Sequence, residues 1–272
     1  MGWERIEEWV VGPRTEGPSI IPYVTVGFPD IATTLELVPA LEQAGASVIE
    51  LGVPFSDPLA DGPTIQRCGL HALRQGVTLR LCLDVCARLR GRGVAVPLVL
   101  MGYYNPLLAY GLEALAKDSA SSGVDGFIVP DLPAEEAGPL WEACQPHHLA
   151  VVPLLAPTST EHRVAQACAR ARGFVYCVSL MGVTGARQEI SAEAFSLVST
   201  VRRHTPLPVA VGFGVSSAEH VAALGEVADA VVVGSALLEA IGVAPAGQEA
   251  ARAMGFLGQL RAPGLPAERG RP

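Results

Sequence analysis

The sequence predicts one (β/α)8 barrel, and three observations carry the prediction. Eight short runs rich in β-branched residues recur along the 272 residues, each bounded by Gly or Pro and too short for a helix. Segments of helical periodicity lie between them. The runs themselves are almost continuously apolar, the pattern of parallel strands covered on both faces. Eight such units match the usual size of a barrel of about 250 residues. A doubly wound open sheet is the alternative, but no Gly-x-Gly-x-x-Gly follows the first strand.

In chain order the predicted strands are IIPYVTV (20–26), SVIELG (47–52), PLVLM (97–101), GFIV (126–129), AVVPLL (150–155), FVYCVS (174–179), PVAVG (208–212) and AVVVG (230–234). The helical segments are 30–44, 64–90, 111–122, 134–147, 160–171, 191–203, 216–224 and 235–241, with a weaker one at 247–260. The step from the second strand to the third is the longest. It holds an extra loop, 53–63, and room for a second short helix. The longest uncharged run, Val94 to Leu112, contains Pro97, Gly102, Asn105, Pro106 and Gly111. It reads as a buried strand and its loop, not a membrane span. The barrel is expected to occupy 1–261, and the tail 262–272, APGLPAERGRP, to be disordered.

Composition narrows the function classes. Half the residues are hydrophobic and 17% are charged, enough to bury a large core. The net charge is −8 and no Lys/Arg block stands out, so no nucleic-acid partner is expected. The six cysteines, at 68, 82, 86, 144, 168 and 177, form no Cys-x-x-Cys pair, and no His falls at zinc-finger spacing. They read as buried free thiols, and no metal site is expected. The opening MGWERIEEWV carries acids where a secretion signal would be apolar, so a cytoplasmic setting without membrane attachment is expected.

Glu50 is the first residue that a packed strand does not explain. Alternation in SVIELG puts Val48, Glu50 and Gly52 on one face. A carboxylate buried there is paired, or its pKa rises and it holds a proton near neutral pH. It also lies at the C-terminal end of its strand, where barrel active sites gather. A satisfied structural Glu is the plain alternative; a general acid–base is the stronger reading. Asp57 and Asp61 follow in GVPFSDPLADGP, and each precedes a turn signal, so each has a reading as a turn residue. Asp61 also pairs with Glu50 as a second carboxylate in an unlike setting, able to hold a different charge.

The later strand ends are glycine-rich: SLMGVTGARQEIS (179–191), GFGVSS (212–217) and GSALLEA (234–240). Loops after the seventh and eighth strands, with a helix starting at Ser235, match the usual phosphate site of a barrel. Glycine lets backbone approach the anion, and N–H groups at a helix start point toward it. Arg187 is the one cation in these loops. Tyr23, Tyr103, Asn105, Tyr176 and Phe213 read singly as packing and together as walls for a flat apolar substrate. The histidines form no Ser–His–Asp set.

At these residues the sequence resembles the tryptophan synthase α chain family. The matching runs are IPYVTVGFPD (21–30), IELGVPFSDPLADGPTIQ (49–66), LMGYYNPLLAYG (100–111), GVDGFIVPDLP (123–133), LLAPTST (154–160), VYCVSLMGVTGAR (175–187), VAVGFGVSS (209–217) and ADAVVVGSAL (228–237). The resemblance implies a (β/α)8 barrel that cleaves indole-3-glycerol phosphate to indole and glyceraldehyde 3-phosphate without a cofactor of its own. It puts the catalytic Glu and Asp at Glu50 and Asp61. The phosphate site would fall on Gly185, Phe213, Gly214, Gly234 and Ser235, with Thr184 in a mobile loop, 180–190, that meets Asp61. The family's partner is a β chain carrying pyridoxal phosphate, in an α2β2 assembly, with Asp57 and Pro58 in the contact. Alternatives are a stand-alone lyase, a non-catalytic activator of a β chain, or another phosphate-binding barrel enzyme. The chain departs from the family in its short N-terminal segment, interrupted at Gly12-Pro13, and in Met181.

Overall fold

The computed structural model describes residues 2–12, 17–178, 192–212 and 214–261. Parallel strands alternate with helices throughout. The strands are β1 (Ser19–Thr25), β2 (Ile49–Gly52), β3 (Leu98–Met101), β4 (Gly126–Ile128), β5 (Ala150–Val152), β6 (Leu154–Leu155), β7 (Val175–Val178), β8 (Val209–Gly212) and β9 (Ala230–Val233). Their hydrogen-bonded order is β5-β4-β3-β2-β1-β9-β8-β7-β6. The two ends of that order, β5 and β6, are halves of one extended segment separated by Pro153, which has no N–H to give to a ladder. Its carbonyl still accepts from Tyr176 N at 3.0 Å. The sheet therefore closes on itself as a (β/α)8 barrel, and the predicted fifth strand (150–155) is corrected to two pieces.

The helices differ from expectation in several places. The predicted segment 64–90 is two helices, α3 (Pro63–Arg74) and α4 (Leu79–Gly91). Between them Gly76 takes φ +80° and Thr78 caps α4, accepting from Leu81 N. The run read as strand and loop contains a helix, α5 (Tyr104–Tyr110). The Asp131 carboxylate, brought in by the loop after β4, accepts from Tyr104 N at 2.9 Å and satisfies a first-turn donor. Segment 134–147 shortens to α7 (Gly138–Cys144) and a 3₁₀ turn, Gln145–His147. The weak 247–260 segment is a full helix, α12 (Glu249–Leu260), packed on α2 (Ile31–Gln43). The other helices are α1 (Trp3–Val11), α6 (Leu112–Ser121), α8 (Glu161–Arg170), α9 (Ala192–His204), α10 (Ala218–Gly225) and α11 (Ser235–Gly242).

Two cores result. Inside the barrel Ile21, Val48, Val99, Ile128, Val152, Phe174, Tyr176, Ala210 and Val232 pack together, and Ile6 and Val10 of α1 join them. The short N-terminal helix thus caps the barrel bottom despite its early stop. Outside, residues such as Ile49, Leu51, Leu98 and Val231 pack against the helices. All six cysteines are buried and unbridged. Among the described residues no helix is long and apolar enough to cross a membrane, and no group of three or more His, Cys, Asp or Glu is arranged to hold a metal. The tail 262–272 lies outside the described residues.

Candidate active site

β2 carries Glu50 into the barrel beside Tyr23 of β1 and Val99 of β3, its register partners. Glu50 is 1% exposed, and neither carboxylate oxygen has a hydrogen-bond partner among the described residues. Burial pushes its pKa up to about 8, and the charge of Asp61 adds to the rise. A group left this way in an apolar interior is costly, and such costs gather at functional sites.

Asp61 arrives on the loop between β2 and α3. That loop is folded by its own turns, with Leu59 N donating to Asp57 O and Asp61 N to Pro58 O. Gln66 of α3 donates to Asp61 O at 2.8 Å. Tyr103, just past β3, anchors it from the other side: its hydroxyl accepts from Ala60 N at 2.9 Å and bonds the Asp61 carboxylate. Phe55 stacks on the Tyr103 ring at 5.2 Å between centroids. Partial burial raises the Asp61 pKa to about 6, held back by the Tyr103 hydroxyl. Tyr103 in turn is pushed up to about 12, by burial first and then by the Asp61 charge.

Tyr23 and Tyr176 complete the inner wall. Both are buried, and burial raises both phenols well above 10. The charges of Asp61 and Glu50 act on Tyr23, and that of Glu50 on Tyr176, so the four groups share one field. Each ring lies across a glycine of the next strand: a Cβ at Gly52 would overlap the Tyr23 hydroxyl, and one at Gly212 the Tyr176 hydroxyl. The inward glycines are what let two aromatic side chains fit at this end of the barrel.

Gly234 lies against the Tyr23 ring and forms the N-cap of α11 without a side-chain cap. The first-turn N–H groups from Ser235 onward have no acceptor within the helix. Gly214 follows β8 with φ +70°, a conformation that favours glycine. Thr184, Gly185 and Phe213 lie outside the described residues, as do Met181 and Arg187. Asp57 and Pro58 do not join the cluster. Asp57 is exposed and accepts from Ser56 Oγ at 2.5 Å, and the neighbouring Leu59 is 95% exposed. Sequence reasoning missed Phe55, Thr64 and Glu239. The last two bond each other across helices, and no local pattern announces such a pair.

The mouth of the barrel thus holds a neutral buried acid, a charged half-buried one, apolar aromatic walls and a glycine-capped helix start. A family model described as tryptophan synthase alpha chain matches residues 13–259. A tryptophan synthase alpha chain of Chloroflexus aggregans is 53% identical over 236 residues, 86% of this chain and 88% of that one. One from Roseiflexus is 50% identical over 258 residues, 94% and 99%. A chain of the tryptophan synthase complex of Pyrococcus furiosus superposes with TM-score 0.83 at 42% identity, over 90% of this chain and 98% of that one. The alpha subunit of Legionella pneumophila gives 0.85 at 31% identity, over 96% and 97%. The chain belongs to the tryptophan synthase alpha chain family.

Proposed function

We infer that this chain is the lyase subunit of a tryptophan synthase, cleaving indole-3-glycerol phosphate to indole and glyceraldehyde 3-phosphate in tryptophan biosynthesis. The observation that carries the reading is Glu50, buried at the mouth with no hydrogen-bond partner among the described residues and protonated at neutral pH, beside an ionised Asp61.

The reaction is a retro-aldol cleavage. Glu50 gives its proton to indole C3, which makes a cationic indolenine. The carboxylate so formed takes the proton of the hydroxyl on the adjacent glycerol carbon. That oxygen becomes the aldehyde carbonyl, the C–C bond breaks, and its electron pair returns to C3 as indole leaves. Asp61 accepts a hydrogen bond from the ring N–H and stabilises the positive charge as it develops. Tyr23, Tyr103 and Tyr176 wall the ring. The phosphate sits at Gly234, Ser235 and Gly214, and the family resemblance assigns Thr184, Gly185 and Phe213, which lie outside the described residues, to the same substrate site. Anchoring the phosphate away from the breaking bond lets binding energy orient the reacting atoms.

The partner is a β chain carrying the assembly's pyridoxal phosphate, in an α2β2 arrangement, with Asp57 and Pro58 on the contacting loop. The exposed position of that loop supports this, as does the kinship to chains solved as a2b2 complexes. The barrel is one domain over 1–261, in a cytoplasmic enzyme. An indole-release assay with indole-3-glycerol phosphate, with and without a β chain, tests the reading. Slow release that rises sharply with the β chain is expected. Full turnover alone would make a stand-alone lyase, and no release in either case would leave an activator or a different phosphate substrate.

A further inference from the structure

The Asp61 loop is anchored on one side by Tyr103 and from its own helix by Gln66. A third bond reaches it from elsewhere. Thr64, the second residue of α3 and three residues beyond Asp61, is buried, and its hydroxyl donates to Glu239 Oε1 at 2.8 Å. Glu239 lies on α11, one helical turn after Ser235 and so on the same face. Helices α3 and α11 pack directly on each other and on β1, with Cys68, Leu238 and Tyr23 between them. The N-cap of α3, Gly62, offers no side chain to fix its first turn. A hydroxyl at the second position of a helix is not needed by the helix itself; here it is spent on a partner 175 residues away.

Resting on the function proposed above, we propose that Thr64 and Glu239 are a positioning pair that ties the Asp61 loop to the phosphate-binding helix. The pair sets the distance between the carboxylate that meets the indole ring and the helix start that holds the other end of the substrate. A misplaced carboxylate loses transition-state stabilisation, while the phosphate site stays intact. The effect therefore belongs in kcat and not in KM.

Four variants test this in the full-length protein with its β chain: T64V and T64S, E239L and E239Q. T64V removes the donor at nearly constant volume, and E239L removes the acceptor at an exposed position. Each is expected to lower kcat about fivefold or more, the loss of one hydrogen bond, with KM within about twofold. The acid limb of the kcat–pH profile should move down, because Asp61 slips from its half-buried place into water. T64S and E239Q keep a donor and an acceptor and should restore both readouts. Wild-type kcat in T64V and E239L would overturn the pair, and so would a rise in KM with kcat unchanged. If T64V fails to fold, E239L against E239Q decides alone, and equal kcat in those two would overturn the proposal. A wild-type protein that releases no indole would remove the proposed function and the pair's role with it.

Discussion

Burial lifts the Glu50 carboxyl to about 8 and that of Asp61 to about 6, so between these pH values one carries its proton and the other its charge. On the proposed roles, the acid that protonates indole is lost as pH rises through about 8, and the charge that stabilises the ring is lost as pH falls through about 6. The kcat–pH profile is expected to be a bell with limbs near those values. D61N should abolish the acid limb and lower kcat about 100-fold or more; a profile that keeps the limb would assign it to another group. Glu50 also carries a stability consequence. Its folded pKa lies above the ordinary 4.5, so the native state binds the proton more tightly. That contribution is fully present below pH 4.5 and is lost as pH rises through about 8. E50Q, neutral at every pH, escapes the loss. It should lower kcat about 100-fold or more and yet unfold at a higher temperature than wild type above pH 8, with the two converging in acid. Thermal scans at pH 5 and pH 9 read this directly, and equal midpoints at pH 9 would mean that Glu50 finds a partner when charged.

At the scale of elements, the sequence displays what is local and hides what is not. Glu50 stands out because it is the one charge in an apolar strand. The glycine-rich strand ends stand out because backbone that must approach a ligand avoids side chains. The start of α5 is hidden because Asp131, 27 residues on, supplies the acceptor for its first N–H, while Asn105 and Pro106 read as loop. The break at Gly76 is hidden inside a periodic pattern that continues on both sides of it. Likewise Tyr103 is visible as an aromatic, but its hold on Ala60 N and Asp61 is a tertiary fact. Helix α11 gives a prediction at this scale. Its start is assigned to the phosphate, so S235D places a second negative charge against the first. Like charges about 4 Å apart at a protein surface repel by several kcal/mol, so KM should rise more than about tenfold. An acid in the first turn of a helix favours the helix itself, so the melting temperature should hold or rise. Loss of binding without loss of stability separates a phosphate site from a damaged fold, and an unchanged KM would move the phosphate elsewhere.

Across the whole molecule the end proposed for catalysis and the stabilising end of the barrel are separate. At the bottom, two aspartates repeat one device. Asp125, just before β4, accepts from Leu98 N at the start of β3, and Asp229, just before β9, accepts from Val209 N at the start of β8. Each therefore pins the first residue of a neighbouring strand, and each meets an arginine, Asp125 with Arg90 and Asp229 with Arg202. Asp125 does more. Its Oδ1 also accepts from Arg5 Nε and Nη2 at 3.1 and 2.6 Å, so the carboxylate joins the capping helix α1, the helix α4 through Arg90, and two strands. Arg90 donates as well to the carbonyls of Gly123, Val94 and Val96, which makes this corner a closed polar network in an apolar setting. Removing the Asp125 carboxylate leaves the Arg5 and Arg90 guanidinium groups without the acid they share, and Leu98 N without its acceptor. D125A is expected to cost about 3–5 kcal/mol, the range for breaking a buried pair from one side. D125N keeps an acceptor for Leu98 N but leaves the arginine charges unbalanced, so it should fall between D125A and wild type. Because the proposed reacting groups, Glu50 and Asp61, sit at the opposite end, both variants should release indole at close to the wild-type rate at low temperature, where they are still folded. Urea unfolding beside an indole-release assay makes the check: a stability loss under about 1 kcal/mol would mean that the apolar plug of Ile6 and Val10 closes the barrel without the network.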